Sequence, residues 1–122
     1  MFPLPTACPP VCLFEDEHLL VLDKPSGLLC VPGKGPDKQD CLSARVQNYW
    51  PDALVVHRLD MATSGLVIMA RSKEVQRLLG DAFAARTVEK RYTAIVTGVI
   101  PALPDNGWHS VDAPIMSDWE RR

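Results

Sequence analysis

The sequence predicts an α+β fold with several short strands and two helices. Short apolar runs separated by glycine, proline and acidic turns are typical of strands, and two longer segments carry apolar residues at helical spacing. The chain has 122 residues, of which 47% are hydrophobic and 23% are charged, as in an ordinary soluble globular protein. One domain is therefore expected.

The first third of the chain predicts an irregular lead-in followed by strands. Residues 1–11 include four prolines and show no periodicity. Two apolar runs within residues 11–22 flank an acidic turn at residues 15–17 and stop at Pro25, which predicts a strand pair. Residues 28–31 predict another short strand before a loop rich in glycine, proline and lysine.

The middle of the chain predicts two helices and two strands. The first helix is expected to run from an N-cap at Asp40 to Trp50. Strands are predicted over residues 54–60 and 64–71, and the second is apolar enough to be covered on both faces. Ser72 is expected to cap the next helix, whose buried face is predicted to contain Val75, Leu78, Leu79, Ala82 and Phe83.

The last third predicts one strand, over residues 89–98, and a turn at residues 105–107. No internal repeat is found. No helix, cap or closing strand is recognised before the final two arginines, so we expect the chain to end partway through a fold.

The composition argues against several classes of protein. The four cysteines contain no CxxC pair and the three histidines are scattered, so no metal site is expected. No signal peptide is recognised and no apolar run approaches the length of a membrane span. A cytoplasmic protein with reduced thiols and no membrane association fits these features best.

The net charge of −2 conceals a basic segment. Residues 58–91 hold seven basic and four acidic residues, whereas the chain on either side is acidic. The polar face of the second predicted helix is expected to carry Lys73, Arg77 and Arg86. A solvated helix face explains this charge about as well as a nucleic-acid-binding surface does.

A charged pair lies in the stretch "VVHRLDMATSG" at residues 55–65. If residues 54–60 form a strand, Arg58 and Asp60 share one face and their side chains are neighbours. From this pattern alone, the simplest interpretation is a solvent-exposed salt bridge at a strand end.

Longer strings around this pair resemble a known family. "DKPSGLLCVPG", "HRLDMATSGLVIMA" and "EKRYTAIVTG" together resemble the RluA family of RNA pseudouridine synthases, from about Cys12 to the C-terminus. The strings are long and follow one another at family-like spacing, which makes them far more specific than one short motif. The resemblance implies a mixed, mostly antiparallel sheet with flanking helices, of which residues 12–122 form the N-terminal portion.

The resemblance also implies the site. Asp60 corresponds to the catalytic aspartate, Arg58 to the arginine that helps flip the target nucleotide and fills its place, and Tyr92 to the active-site tyrosine. Without the resemblance, Tyr92 would be interpreted as a buried tyrosine of the last strand. The residues implied in substrate binding are His57, the pocket-shaping Thr63, Ser64 and Gly65, and the basic residues Arg77, Arg86, Lys90 and Arg91. Further family correspondences or candidate RNA contacts are Lys24, Pro25, Arg71, Lys73, Trp108 and Trp119.

The chemistry of the family explains these residue types. Uridine is detached at its N-glycosidic bond, turned and rejoined through C5, so a carboxylate has to lie close to the ribose. Asp60 is expected to act as a nucleophile or as a base toward the sugar, and both alternatives stay open. Arg58 favours the charged carboxylate, and Tyr92 stacks on the base and assists proton transfer at C5. The base must first be flipped out of its RNA, and no cofactor is required.

The resemblance implies RNA as the partner and leaves alternatives for this chain. Members of the subgroup without a separate N-terminal RNA-binding domain act on 23S-type ribosomal RNA, on the anticodon stem-loop of some tRNAs, or on both, and protein partners are unknown. The family's later "GRTHQLRVH"-like motif, whose arginine pairs with the catalytic aspartate, is absent here. We therefore expect a fragment of a full synthase. A truncated non-catalytic RNA-binding module is the alternative, and a base-excising hydrolase is a third class.

Overall fold

A four-stranded antiparallel sheet organises the computed structural model, which describes residues 9–103, 105 and 107–115. The strands occur in the spatial order β1-β2-β4-β3, and all three pairings are antiparallel. The predicted α+β fold with an antiparallel sheet and flanking helices is confirmed. The elements are β1 (Val11–Glu15), β2 (Leu19–Lys24), a 3-10 turn (Pro36–Lys38), α1 (Leu42–Gln47), β3 (Leu54–Val55), β4 (Gly65–Ala70) and α2 (Lys73–Ala84).

The strand pair predicted at the N-terminal end is confirmed as β1 and β2. The acidic turn between them is closed by Asp16, whose carboxylate accepts hydrogen bonds from the amides of His18 and Leu19 at 2.8 and 2.9 Å. An aspartate that bonds the backbone two or three residues ahead is a common turn former. This local device sets the reversal that brings β2 back along β1.

One face of the sheet carries the hydrophobic core. Leu20 and Leu22 of β2 are fully buried and lie opposite Met69 and Val67 of β4. Period-2 alternation places these four side chains on the same face. The cluster that packs together there also contains Leu28, Cys30, Leu42, Val46, Ala53 and Leu59.

The first helix is shorter than predicted, because its start and its end were both placed wrongly. It begins after an extended Cys41, since the Asp40 carboxylate binds the Arg45 guanidinium at 2.8 and 2.9 Å instead of capping the helix. It ends at Gln47, before the predicted Trp50. Tyr49 is 55% exposed and so lies outside the buried face.

The strand predicted over residues 28–31 is absent. The carbonyl oxygens of Leu29 and Cys30 accept hydrogen bonds from the amides of Leu42 and Ser43, at 2.7 and 3.1 Å. These amides belong to the first turn of α1 and have no partner within the helix. The segment therefore accepts the hydrogen bonds of the first turn of α1 instead of pairing in the sheet.

The strand predicted over residues 54–60 is wrong beyond Val55. β3 contains only Leu54 and Val55, which pair with Ala70 and Met69. The next residue of β4 along this register is Ile68, and its amide donates to the His57 ring at 3.0 Å. A side chain thus takes a backbone donor that a longer strand would use.

The predicted N-cap of α2 is confirmed, but its predicted buried face is only partly correct. The Ser72 hydroxyl accepts a hydrogen bond from the Val75 amide at 3.2 Å. Val75, Leu79 and Phe83 are half-buried, whereas Leu78 is 57% exposed. The helix packs against β3 and β4 with the face that excludes Leu78.

Coverage of β4 on both faces is also only partly correct. Val67 and Met69 are buried on the core face. Leu66 points to the other face by strand alternation, and it is 61% exposed. The packing of α2 against β4 therefore leaves part of that face in solvent.

The chain divides into two compact units, residues 1–90 and 91–122. The strand predicted over residues 89–98 is absent, and Ile95 there is fully exposed. A strand needs a neighbour for its backbone groups, and no pairing of these residues exists in the described part of the chain. Within the described residues, no helix is long and apolar enough to cross a membrane.

Some predictions lie outside the described residues. Residues 1–8 of the predicted lead-in, Asn106 of the predicted turn and Trp119 are among them. Gly107 of that turn is described and has a φ of 76°. The boundary predicted between residues 11 and 12 stays a prediction, although β1 already begins at Val11.

Candidate active site

The predicted catalytic residues Arg58 and Asp60 lie on an irregular segment between β3 and β4. Leu59 is 8% exposed and belongs to the core, whereas both charged neighbours are exposed. The buried leucine fixes the segment to the fold and directs Arg58 and Asp60 outward. Among the described residues, these two form no ion pair within 4.0 Å. The interpretation as a plain strand-end salt bridge is therefore wrong.

A buried lysine holds the backbone next to Asp60. Lys24, at the end of β2, is 0% exposed. Its ammonium group donates hydrogen bonds to the carbonyl oxygens of Pro25, Leu28 and Met61 at 3.0, 2.7 and 3.1 Å. A buried ammonium is tolerated only when its donors are satisfied, and three acceptors satisfy it here.

The loop after Lys24 adds two more hydrogen bonds to the same segment. The Gly27 amide donates to the Met61 carbonyl at 2.7 Å. The Ser26 hydroxyl donates to the Ala62 carbonyl at 2.7 Å. Gly27 has a φ of 93°, in the left-handed region that favours glycine. The "KPSG" loop, residues 24–27, thus positions the two residues that follow Asp60.

Electrostatics connect Lys24 with Asp60 directly. Burial lowers the pKa of Lys24, and the charges of Cys30 and Asp60 act in the opposite direction. The negative charge of Asp60 thus favours the charged ammonium, although the two groups, both in the described part of the chain, form no ion pair within 4.0 Å. Lys24 contributes both a fixed backbone and a positive charge behind the exposed carboxylate.

The loop between Asp60 and β4 is built from the predicted pocket-shaping residues. The Thr63 amide donates to the Asp60 carbonyl at 3.1 Å, which closes a turn directly after the carboxylate. Gly65 begins β4 with a φ of 127°, a conformation that other residues rarely adopt. Ser64 between them is exposed.

His57 is turned into the first unit. Its Nε2 accepts a hydrogen bond from the Ile68 amide at 3.0 Å, and its ring stacks on Phe83 with centroids 4.3 Å apart. Burial lowers the pKa of His57, and the positive charge of Lys90 lowers it further. The ring is thus occupied by contacts within the fold.

A pocket of about 240 Å³ lies beside the two exposed charges. One wall is formed by residues 29–33, the loop whose carbonyls also bond α1. The other wall is formed by residues 58–61, which include Arg58 and Asp60. The pocket therefore joins the "LLCVPG" string and the "HRLD" string in space.

The basic residues expected to approach RNA differ in their surroundings. Arg71 is committed to the fold, since its guanidinium donates to the Asp52 carboxylate at 2.9 Å and to the Asp16 carbonyl at 3.0 Å. The exposed members of the set are Lys73, Arg77, Arg86, Lys90 and Arg91.

The predicted tyrosine belongs to the second unit. Tyr92 is 60% exposed and lies in irregular chain, so its interpretation as a buried strand residue is wrong. In the same unit, the Arg91 guanidinium lies 5.8 Å from the ring centroid of Trp108.

The positioning role of the "KPSG" loop is absent from the sequence prediction, which assigns Lys24 no function of its own. A signal is nevertheless present in β2. Leu20, Leu22 and Lys24 share one strand face by period-2 alternation, which places the lysine on the core side. The residues that it contacts are separated from it by up to 37 positions and cannot be inferred from local pattern.

Comparison with known proteins identifies the family of this chain. A family model described as RNA pseudouridylate synthase matches residues 18–120. The dual-specificity RNA pseudouridine synthase RluA of Yersinia pestis is 44% identical, over 92% of this chain and 52% of the relative. The protein of the same name from Escherichia coli K12 is 42% identical, over 92% of this chain and 49% of the relative. The chain spans about half the length of the curated relatives it matches.

Solved structures share the fold. Human RNA pseudouridylate synthase domain containing 4 has a TM-score of 0.53 and 25% identity, covering 63% of this chain and 30% of that protein. Human RNA pseudouridylate synthase domain containing 1 has a TM-score of 0.52 and 21% identity, covering 70% and 31%. The matched region is about a third of each of these two proteins. The resemblance seen in the motif strings is confirmed, and the chain belongs to the RNA pseudouridylate synthase family.

Proposed function

We propose that this chain carries the Asp60 side of an RNA pseudouridine synthase active site, which isomerises specific uridines after base flipping. The observation that carries the proposal is the exposed Asp60 carboxylate on the wall of a pocket, on a backbone fixed by the buried Lys24. Exposed carboxylates are common. A buried ammonium that holds the backbone of the residue after the carboxylate is unusual, because burying a charge costs free energy. Pre-organisation of this kind is what a reacting group requires.

In the proposed reaction, the bond between N1 and the ribose C1′ breaks and a bond between C5 and C1′ forms. The C5 proton leaves and N1 gains a proton, so the isomerisation needs no external reagent. Asp60 acts at the sugar, either as nucleophile or as base. Tyr92 is proposed to stack on the base and assist the proton transfer. No cofactor or metal enters this scheme.

The pocket beside Asp60 supports binding of a flipped base. Its volume of about 240 Å³ provides space next to the carboxylate. Flipping costs a few kcal/mol. Arg58 lies on the same wall and is exposed, which supports its proposed role of occupying the vacated position in the RNA stack.

The proposed substrates are structured RNAs in the cytoplasm, namely 23S-type ribosomal RNA, the anticodon stem-loop of tRNA, or both. The relatives are named dual-specificity enzymes, which agrees with two classes of RNA. Phosphate contacts are proposed for the exposed residues Arg77, Arg86, Lys90 and Arg91. Substrate contacts are proposed for Thr63, Ser64 and Gly65 because they lie between the turn after Asp60 and the start of β4.

The test compares two Asp→Asn variants of the 122-residue chain. Asp60→Asn removes the carboxylate from the pocket, and Asp81→Asn makes the same change at an exposed site on α2. Pseudouridine is read by carbodiimide labelling and primer extension on tRNA and ribosomal RNA transcripts. Formation by the unaltered chain and by Asp81→Asn, with none by Asp60→Asn, supports the proposal. Turnover that survives in Asp60→Asn overturns the role of Asp60.

A non-catalytic RNA-binding module is the second candidate. It is favoured by the exposed Lys73 and Arg77 on α2, which no carboxylate pairs within 4.0 Å among the described residues. This candidate predicts salt-dependent RNA binding that is unchanged in Asp60→Asn, without pseudouridine in any variant. Release of free uracil would instead identify a base-excising hydrolase. An absence of both binding and turnover would contradict the catalytic and the binding proposals together.

A further inference from the structure

His57 connects three parts of the first unit through one ring. The Nε2 atom accepts the Ile68 amide of β4 at 3.0 Å. The ring also stacks on Phe83 of α2, with centroids 4.3 Å apart and planes 20° apart. The residue itself begins the segment that carries Arg58 and Asp60. The ring therefore ties this segment to β4 and to α2.

The hydrogen bond defines the protonation state of the ring. A backbone amide is only a donor, so Nε2 must offer its lone pair. The ring is then neutral, with its proton on Nδ1. A protonated ring would direct an Nε2–H at the Ile68 N–H, and two donors would face each other. Protonation is therefore incompatible with this contact.

The contact between His57 and Ile68 lies just beyond the end of the β3–β4 pairing. Backbone pairing of β3 with β4 ends at Val55 and Met69. Beyond that point, the hydrogen bond from the Ile68 amide to the His57 ring joins the segment that carries Arg58 and Asp60 to β4. Asp60 follows three residues later, within about 10 Å of chain at roughly 3.3 Å per residue. The ring contact and the carboxylate are therefore separated by only a short length of chain.

We propose that His57 is a positioning residue whose neutral ring, held between the Ile68 amide and Phe83, fixes the segment that carries Arg58 and Asp60. This role replaces the substrate contact expected from the resemblance. Its consequence for turnover rests on the proposed function, whereas the positioning itself does not.

The surroundings of the ring favour its neutral form. Burial is the main cause that lowers the pKa of His57, and Lys90, which follows α2, adds to the effect. The elements packed against the ring contribute an amide from Ile68 and an apolar ring from Phe83. Its own segment contributes the exposed Arg58 and Asp60. Among these groups Lys90 is the charge that acts on His57 most directly, and it opposes protonation.

Two substitutions separate the acceptor from the ring. His57→Gln places an amide oxygen near the former Nε2, so it keeps an acceptor for Ile68 but removes the aromatic ring and the titration. His57→Phe keeps the stacking on Phe83 and removes the acceptor. If the ring serves only to pack against Phe83, His57→Phe should preserve the structure of the segment better than His57→Gln. If it positions the segment through its hydrogen bond, His57→Gln should preserve that structure better.

The first readout is NMR of the 122-residue chain and does not depend on activity. Imidazole nitrogen shifts should show a neutral Nδ1–H ring at about pH 7. The chemical shifts of the Ile68 amide and of the Asp60 carboxyl carbon should be unchanged in His57→Gln and should change in His57→Phe. An Nε2–H ring in the unaltered chain, which needs no variant to detect, would overturn the proposal. Unchanged Asp60 signals in His57→Phe would do so as well.

The second readout is the rate of pseudouridine formation against pH. His57→Phe should be slower by roughly 10- to 100-fold, the size expected for a displaced reacting group, and His57→Gln should be within a few-fold of the unaltered chain. The rate of the unaltered chain should fall as the pH drops below 6.5 and through the lowered pKa of the folded ring, and that of His57→Gln should fall less. Equal pH profiles would contradict the proposal. If the unaltered chain forms no pseudouridine, the proposed function fails and the NMR result alone decides the role of His57.

Discussion

The Lys24 ammonium nitrogen and the Met61 carbonyl oxygen lie 3.1 Å apart, which joins the end of β2 to the residue after Asp60. The same carbonyl accepts the Gly27 amide at 2.7 Å. The "KPSG" loop and the "HRLDMA" segment are thus parts of one structure, although 37 positions separate Lys24 from Met61. Two of the three sequence strings that carry the family resemblance thus meet at the candidate site.

Replacing Lys24 with methionine should lower the free energy of unfolding by about 2 kcal/mol. Loss of charge-assisted hydrogen bonds leaves buried carbonyls such as that of Leu28 without their donor, at roughly 1 to 3 kcal/mol each. Relief of the buried ammonium offsets part of this cost. Urea unfolding measures the change, with Lys73→Met on the exposed face of α2 as the control. A variant as stable as the unaltered chain would show that the three hydrogen bonds contribute nothing net.

Replacing Ser26 with alanine should reduce turnover more than stability. Its hydroxyl donates to the Ala62 carbonyl at 2.7 Å from an exposed position, so loss of the bond costs at most about 1 kcal/mol. We expect pseudouridine formation to fall several-fold, because the turn after Asp60 loses one support. Ser110→Ala, at an exposed position of the second unit, is the matched control. A larger loss in the control than in Ser26→Ala would contradict this assignment.

The parts of the fold that sequence predicts well are those set by neighbours in the chain. Asp16 closes the turn between β1 and β2, and Ser72 caps α2, and both act within three residues. The failures involve distant partners. His57 takes the Ile68 amide eleven residues away, and this ends β3 early. Residues 89–98 have strand-forming composition but no pairing partner among the described residues.

The candidate site follows the same division. Arg58 and Asp60 alternate outward around the buried Leu59, as the pattern predicts, although the segment is not a strand. The wall formed by residues 29–33 and the support from Lys24 are absent from the prediction, because both depend on contacts across the fold. The family resemblance indicates Asp60 as the candidate reacting group, and tertiary contacts show what holds its segment.

Stability should rise with pH across the titration of His57. The folded protein has a lower pKa for His57 than the ordinary value of 6.5, so the unfolded chain binds more protons in the window between the two values. The contribution of His57 is therefore complete above about pH 6.5 and is lost as the pH falls through the folded pKa. Urea unfolding at about pH 7.5 and about pH 5 should show a smaller difference in His57→Gln than in the exposed-histidine control His18→Gln. An equal pH dependence in both variants would contradict this assignment.

Replacing Ser72 with alanine should destabilise the chain by about 1 kcal/mol, the usual effect of losing an N-cap. The hydroxyl accepts the Val75 amide at 3.2 Å, and that amide has no acceptor within the helix. Ser72→Asp should restore the stability, because a carboxylate is also an acceptor and a negative charge is favourable at a helix N-terminus. Thermal or urea unfolding of the three proteins tests the order. Equal stability of the alanine and aspartate variants would exclude a capping role.

Replacing Arg86 with glycine should stabilise the fold and weaken RNA binding. Arg86 follows the last residues of α2 with a φ of 57°, the left-handed conformation that costs a residue with a side chain roughly 1 to 2 kcal/mol. The backbone there forms the bonds from Arg86 to Phe83 and from Thr87 to Ala82, at 3.1 and 3.0 Å, which usually accompany glycine. An exposed arginine in that position is consistent with a use for its charge.

The glycine variant is tested by two measurements. Arg86→Gly should raise the free energy of unfolding by about 1 kcal/mol. It should also make the salt dependence of binding to a labelled anticodon stem-loop less steep, by roughly 0.7 to 0.9 in the slope of log K against log salt concentration. Arg86→Lys, which keeps both the charge and the strained backbone, should change neither quantity. A glycine variant that binds RNA with an unchanged salt dependence would remove Arg86 from the proposed RNA surface.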